Sequence, residues 1–151
     1  MFLLDGGSIV ALLDRSDRHH RRCAAQLVLV REAFGTTWPV IAEALARMDG
    51  VRGGGEAVWE LLERSQCRLL SLESGDFDRL RQLSGGPGKL SLAQASLVCV
   101  AERDGIDAIF TLDSRLAGRR KGRRKLFRRW LGGSAPRTDP GSTPTRLSRG
   151  T

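Results

Sequence analysis

Short apolar runs alternate with longer stretches of helical period along most of this chain, which predicts an α/β domain built on a mostly parallel sheet. Phe2-Leu3-Leu4 is wholly apolar and reads as a buried strand, and Ile9 to Leu13 reads as a short helix. Asp17 supplies an N-cap for a second helix, expected through Cys23, Leu27 and Val30 to about Phe34. Thr36-Thr37-Trp38 reads as a second, short strand. Pro39 then suits the first position of a helix that sets Val40, Ala44, Leu45 and Met48 on one face. Gly53-Gly54-Gly55 breaks the chain before a helix from Glu56 to Arg64, and Arg68 to Leu72 is the third strand. Ser74 caps a helix to Leu83, and Gly85-Gly86-Pro87-Gly88 is a loop. Ser91 caps the most apolar helix, Leu92 to Asp104, which Gly105 closes. That helix has little polar face and belongs deep against the sheet. Ala108 to Leu112 is the best-marked strand, and Leu126 to Leu131 is expected as an edge strand.

A chain of 151 residues with 40% hydrophobic content supports one core without disulfide staples. Its net charge of +8 is uneven. Residues 119–151 carry 11 basic side chains against the single acid Asp139, whereas the remainder carries 14 against 16. The body is therefore mildly acidic and the end strongly basic. From residue 132 onward the chain is Gly, Ser, Thr, Pro and Arg with almost no apolar residue, so residues 1–131 are expected to form the domain and 132–151 a disordered basic tail. No apolar run approaches the ~18 residues a membrane helix needs. Met1-Phe2-Leu3-Leu4 reaches Asp5 with no basic stretch before it, which reads against a secretory leader. Cys23, Cys67 and Cys99 are odd in number and lack metal-type spacing, so free buried thiols in the cytoplasm are expected.

Two strands end alike: Asp5 follows Phe2-Leu3-Leu4, and Asp113 follows Ile109-Phe110-Thr111-Leu112. In a parallel sheet both carboxylates emerge at the carboxyl edge, where open α/β folds bind ligands. Glu43, early in the helix after Thr36-Thr37-Trp38-Pro39, can join them. Converging carboxylates want a hard cation such as Mg²⁺ or Mn²⁺, which can activate water and clamp a phosphodiester during displacement. Asp5 and Asp113 as plain strand-end turn residues is the competing reading.

In order along the chain, Phe2-Leu3-Leu4-Asp5, Thr36-Thr37-Trp38-Pro39-Val40-Ile41-Ala42-Glu43-Ala44-Leu45, Leu90-Ser91-Leu92-Ala93-Gln94-Ala95-Ser96-Leu97 and Ile109-Phe110-Thr111-Leu112-Asp113 resemble the motifs of PIN-domain proteins. Within that family residues 1–131 are most similar to the VapC-type toxin ribonucleases of toxin–antitoxin pairs. The resemblance implies an α/β/α sandwich around a parallel sheet, Mg²⁺-dependent (or Mn²⁺-dependent) cleavage of RNA, a cognate antitoxin that blocks the site, and homodimerisation. By position it makes Asp5, Glu43 and Asp113 the catalytic and metal-holding acids. This sequence departs from the pattern at two places. Gln94 stands where the family usually has Asp, and Gly6 replaces the small hydroxyl residue after the first Asp, with Ser8 close by. Losing a carboxylate beside a divalent ion weakens its binding, since a unit charge pair at 4 Å is worth about 4 kcal/mol at an effective dielectric of 20. A degenerate PIN domain that binds RNA or an antitoxin without cutting is therefore the alternative.

Arg119, Arg120, Lys121, Arg123, Arg124 and Lys125, with Phe127 and Trp130 interleaved downstream, form a candidate RNA-binding run in which cations meet phosphates and rings stack on bases. Its plain reading is a solubilising or antitoxin-facing edge with the rings packed inward. His19-His20, within Arg18-His19-His20-Arg21-Arg22, reads as solvated surface, because adjacent positions do not share a helix face. Gly53-Gly54-Gly55 has no following Lys-Ser/Thr and reads as a flexible connector, not a phosphate cradle. Trp38, Trp59 and Phe110 are expected in the core.

Overall fold

A computed structural model describes residues 1–121, 123–127 and 129–132. Its strands are β1 (Phe2–Leu4), β2 (Phe34–Thr36), β3 (Arg68–Leu69), β4 (Ala108–Thr111), β5 (Arg120–Lys121), β6 (Arg124–Lys125) and β7 (Arg129–Gly132). Five of them form one sheet in the order β3-β2-β1-β4-β7 with every pairing parallel, and β5 and β6 form a separate antiparallel hairpin. The helices are α1 (Gly6–Leu13), α2 (His20–Leu27), α3 (Trp38–Met48), α4 (Gly54–Arg64), α5 (Phe77–Ser84), α6 (Leu92–Asp104) and α7 (Ser114–Ala117). They flank the sheet, as an α/β/α sandwich requires. The apolar runs that mark β1 and β4 form its two central strands, where Leu3, Leu4, Ile109 and Phe110 are shut off from water. A strand covered on both faces needs such runs without alternation. α6 follows the same rule: Ala93, Ala95, Leu97, Val98, Val100 and Ala101 are all buried, and its ends are the expected Ser91 and left-handed Gly105.

Elsewhere tertiary pairing moves the boundaries. α2 begins at His20, not at Asp17, because the Asp17 carboxylate accepts the His19 amide in a preceding turn and its carbonyl accepts that of His20. It stops at Leu27, beyond which Val28 and Leu29 are exposed and have no core to hold a helix. The chain then enters the sheet earlier than predicted: the Phe2 amide donates to the Ala33 carbonyl, and β2 takes Phe34 and Gly35. A Cβ at Gly35 would lie 2.9 Å from the Met1 sulfur and 3.2 Å from a Leu70 methyl. Trp38 accordingly opens α3, with Thr37 as its N-cap, and does not belong to a strand. β3 keeps only two of its five predicted residues, and a 3-10 turn capped by Glu73 precedes α5.

The triple glycine is not a loose connector. Gly53 caps α4 with φ 72°, and a Cβ on Gly54, the first residue of α4, would sit 2.4 Å from the Met48 carbonyl oxygen. The run is what lets α3 turn tightly into α4. Phe110 is core as expected, but Trp38 and Trp59 are not. They are 58% and 38% exposed and line an apolar groove of about 330 Å³ with Ile41, Leu62 and Leu69. Cys23 and Cys99 are buried and Cys67 half-buried, and burial pushes all three thiols up. No helix among the described residues is long and apolar enough to cross a membrane. β7 is shorter than the predicted edge strand and runs on to Gly132; the segment expected to be a tail lies, beyond that residue, outside the described residues.

Candidate active site

Because β1 and β4 are parallel neighbours, the residues that follow them leave the sheet at one edge. Asp5 and Asp113 both line a cleft of about 570 Å³ there, and Glu43, in the second turn of α3, lines it too. Thr111, the last residue of β4, ties the two aspartates together. Its hydroxyl donates to Asp5 Oδ2 at 2.8 Å and accepts the Asp113 amide at 3.0 Å.

The two aspartates sit in opposite electrostatic states. Asp5 is 4% exposed, and its Oδ1 is buried with no hydrogen-bond partner among the described residues. Burial, reinforced by repulsion from Glu43 and Asp113, pushes its carboxyl up to about 6 despite the Thr111 and Gly6 hydrogen bonds. Asp113 is partly desolvated too, but donors more than compensate and hold it at about 2. It caps α7 by accepting the Arg115 and Leu116 amides, and it also accepts Arg115 Nη2 and Gln94 Nε2, each at 3.0 Å. Glu43 Oε2 accepts the Ser91 hydroxyl at 3.1 Å, and Ser91 is at the same time the cap of α6. A Cβ at Gly6 would lie 3.0 Å from Glu43 Oε1, so the glycine leaves room for that carboxylate.

Several lining residues carry no clear signal in the sequence. Arg18, His19, Arg47 and Arg115 ring the carboxylates, and Asp17 stands beside them. His19, expected as plain surface, borders the cleft and takes a hydrogen bond from Arg18 Nε. His20 instead reaches back to the Ala11 carbonyl. None of the six cations of the candidate RNA-binding run lines the cleft. Phe127 is buried and cannot stack on a base, and Trp130 is partly buried against the core with its Nε1 donating to the Thr111 carbonyl. Thr111 is findable only in hindsight, as a hydroxyl two residues before a strand-end Asp.

The donor set suits one kind of ion. Among the described residues no three Asp, Glu, His or Cys side chains stand close enough to form a closed metal cage. An unpartnered buried oxygen on Asp5, in a cleft that Asp113 and Glu43 also line, does fit Mg²⁺ or Mn²⁺, which keeps most of its waters and takes only one or two carboxylates directly. Arg115 competes for the same place, since its guanidinium already neutralises Asp113. Its side chain is 76% exposed and free to leave. Arg115→Ala is therefore expected to tighten Mg²⁺ binding about two- to fivefold, the scale of an exposed ion pair. Calorimetric titration reads this directly, and an unchanged affinity would show that the guanidinium does not compete.

The fold these elements define is the VapC-like PIN fold. The chain superposes on the crystal structure of VapC20 from Mycobacterium tuberculosis, a toxin that cleaves the sarcin–ricin loop, with a TM-score of 0.66 over 77% of this chain and 92% of that one. Sequence identity is 15%, so the likeness fixes the fold and leaves the chemistry to the residues present. No family model and no curated protein matches the sequence.

Proposed function

We propose that this protein is a Mg²⁺-dependent endoribonuclease that hydrolyses RNA phosphodiester bonds and is silenced by a cognate antitoxin covering the cleft. The observation that carries the reading is Asp5: a buried carboxylate with one unpartnered oxygen, set against Asp113 and Glu43 at the carboxyl edge of a PIN-fold sheet. Isolated burial of that kind is costly and makes sense where a cation completes it. Asp5 and Asp113 would hold the ion, which supplies a more acidic bound water and charge neutralisation at the phosphate.

The protein's own groups do the rest. Thr111 holds the Asp5 carboxylate and the Asp113 backbone in one arrangement, so these two acids are set before substrate arrives. Glu43, held by Ser91, is placed to orient the attacking water and accept its proton. Arg18, Arg47 and Arg115 meet the phosphate oxygens, and a phosphate drawing Arg115 away from Asp113 would uncover that carboxylate as substrate binds. The resemblance that suggests an antitoxin also suggests a dimer, and both belong to this proposal.

One observation favours a second reading, a PIN domain that binds RNA without cutting. Gln94 presents an amide donor to Asp113, so a lone pair that an ion would use is already filled. Incubating purified protein with labelled RNA in Mg²⁺, in EDTA and as Asp5→Asn separates the two. Cleavage confined to the Mg²⁺ arm of the wild type is expected. RNA binding without any cleavage would establish the second reading, and cleavage surviving in Asp5→Asn would remove Asp5 from the mechanism.

A further inference from the structure

The β5–β6 hairpin is a concentration of charge that the cleft does not use. Arg120 stands opposite Lys125 and Lys121 opposite Arg124, so both cross-strand pairs are like-charged, an arrangement that destabilises a hairpin. Arg120, Lys121, Arg123, Arg124 and Lys125 are all exposed, and none pairs with a carboxylate among the described residues. Beyond the strand pairing, the hairpin is fastened by bonds to backbone carbonyls: the Leu126 amide donates to Arg119, Lys121 Nζ to Glu102 near the end of α6, and the Arg120 guanidinium to Arg123. Lys121, Arg124 and Lys125 line a hollow of about 200 Å³ against that end of α6. Glu102 and Asp107 border the same hollow, and Glu102 is engaged by Arg79.

This surface is separate from the cleft. The two concavities share no lining residue. Gln94 and Glu102 are eight residues apart on α6, about 12 Å at 1.5 Å per residue. The two strands of the hairpin present only cations to solvent, since Leu126 and Phe127 beside them are buried and the apolar lining of the hollow, Ala101, Ile106 and Leu126, lies beneath them against α6. A peptide that settles on a protein needs apolar anchors, whereas a phosphodiester backbone is held by cations alone, without reading bases.

We propose that the β5–β6 hairpin is a second, sequence-neutral RNA contact that grips the phosphate backbone away from the scissile bond, and that the repulsion between its like-charged pairs is relieved when phosphates lie across them. The proposal rests on RNA being what the cleft binds. At ~3.4 Å per phosphate along a helical strand, the hairpin adds affinity only for RNAs at least about 4 nucleotides longer than the cleft itself holds.

The test measures fluorescence anisotropy of the full-length protein in EDTA with labelled RNAs of about 20 and about 4 nucleotides, at 50 and 200 mM KCl. Wild type is compared with the combined variant Arg120→Gln, Lys121→Gln, Arg123→Gln, Arg124→Gln and Lys125→Gln. The long RNA is expected to bind about tenfold more weakly to the variant at 50 mM salt, with a salt slope shallower by about 2 to 3, roughly 0.7 for each phosphate that the variant leaves unneutralised. The short RNA should bind both proteins alike. An unchanged affinity and slope for the long RNA would overturn the proposal, as would polyglutamate displacing it as well as unlabelled RNA does. The pair Arg124→Gln and Lys125→Gln, which keeps the hydrogen bond from Lys121 to Glu102, repeats the comparison if circular dichroism shows the fivefold variant unfolded. Because EDTA suppresses cleavage, a protein that binds through the hairpin but never cuts in Mg²⁺ overturns the ribonuclease reading and leaves this one standing.

Discussion

Replacing Gln94 with Asp will raise Mg²⁺ affinity about 10- to 100-fold and lower the stability of the metal-free protein by about 2–4 kcal/mol. Both effects follow from one hydrogen bond. Gln94 Nε2 donates to Asp113 Oδ2, and Gln94 Oε1 accepts the Ser91 amide at the start of α6. The substitution deletes a donor to a charged group, worth about 1.5–3 kcal/mol, and sets a second carboxylate against the first. A close pair of unit charges costs about 4 kcal/mol at a dielectric of 20, reduced here because Asp113 remains partly solvated and paired with Arg115. A divalent ion converts that repulsion into attraction for both oxygens, less what its displaced water had supplied. Calorimetry with Mg²⁺ and urea denaturation without it check the two halves. A gain in affinity below about threefold would show that position 94 does not face the ion.

Asp5→Asn should abolish Mg²⁺ binding and yet make the metal-free protein more stable at pH 7, by about 1–3 kcal/mol, or ~3–10 °C in Tm for a chain of this size. The wild-type carboxyl is held at about 6 in the folded state against 3.8 in the unfolded chain, so the folded protein resists its ionisation. For an acid shifted upward the cost is complete above about 6, shrinks as pH falls through that value, and vanishes below about 3.8. The advantage of Asn should accordingly be large at pH 7 and nearly absent at pH 4. Asp113 runs the other way: held at about 2, it contributes stability above about 3.8 that is lost as the pH falls toward 2. Saturating Mg²⁺ should stabilise the wild type and leave Asp5→Asn unmoved. A difference between the two proteins that ignored pH would contradict the burial account.

Where one kind of interaction decides the local structure, the sequence is a sufficient guide. β1 is wholly apolar, β4 apolar up to Thr111 and α6 long, and Asp5 and Asp113 can be placed because they stand one and two residues past the ends of such strands. β2 lies earlier than its predicted position because three residues are too few to show a period, and Phe34-Gly35-Thr36 is a strand only through its neighbours β1 and β3. The size of Trp38 and Trp59 argues for the core, but size does not say whether a neighbouring element arrives to cover them. Arg115 looks like any surface arginine two residues from an Asp; only α7 bends it back onto that carboxylate. The basic run is close to Asp113 in sequence, but the chain between α7 and β7 carries it to the far end of α6, which proximity along the chain cannot reveal.

The hydroxyl of Thr111 and the carboxylate it holds are 106 residues apart in the chain. That separation sets a schedule for synthesis. While the ribosome makes the first 107 residues, β1 has β2 beside it but not β4, and Leu3 and Leu4 lack the partners that bury them on the other side. At about 5–20 residues per second, this unassembled interval lasts roughly 5–20 s for each molecule. The cleft comes into being only when β4 pairs with β1, ahead of β7, and Thr111 brings the Asp113 backbone and the Asp5 carboxylate together. A nascent chain thus has no such cleft until β4 and Asp113 have left the ribosome, and prematurely ended chains lacking β4 never form it.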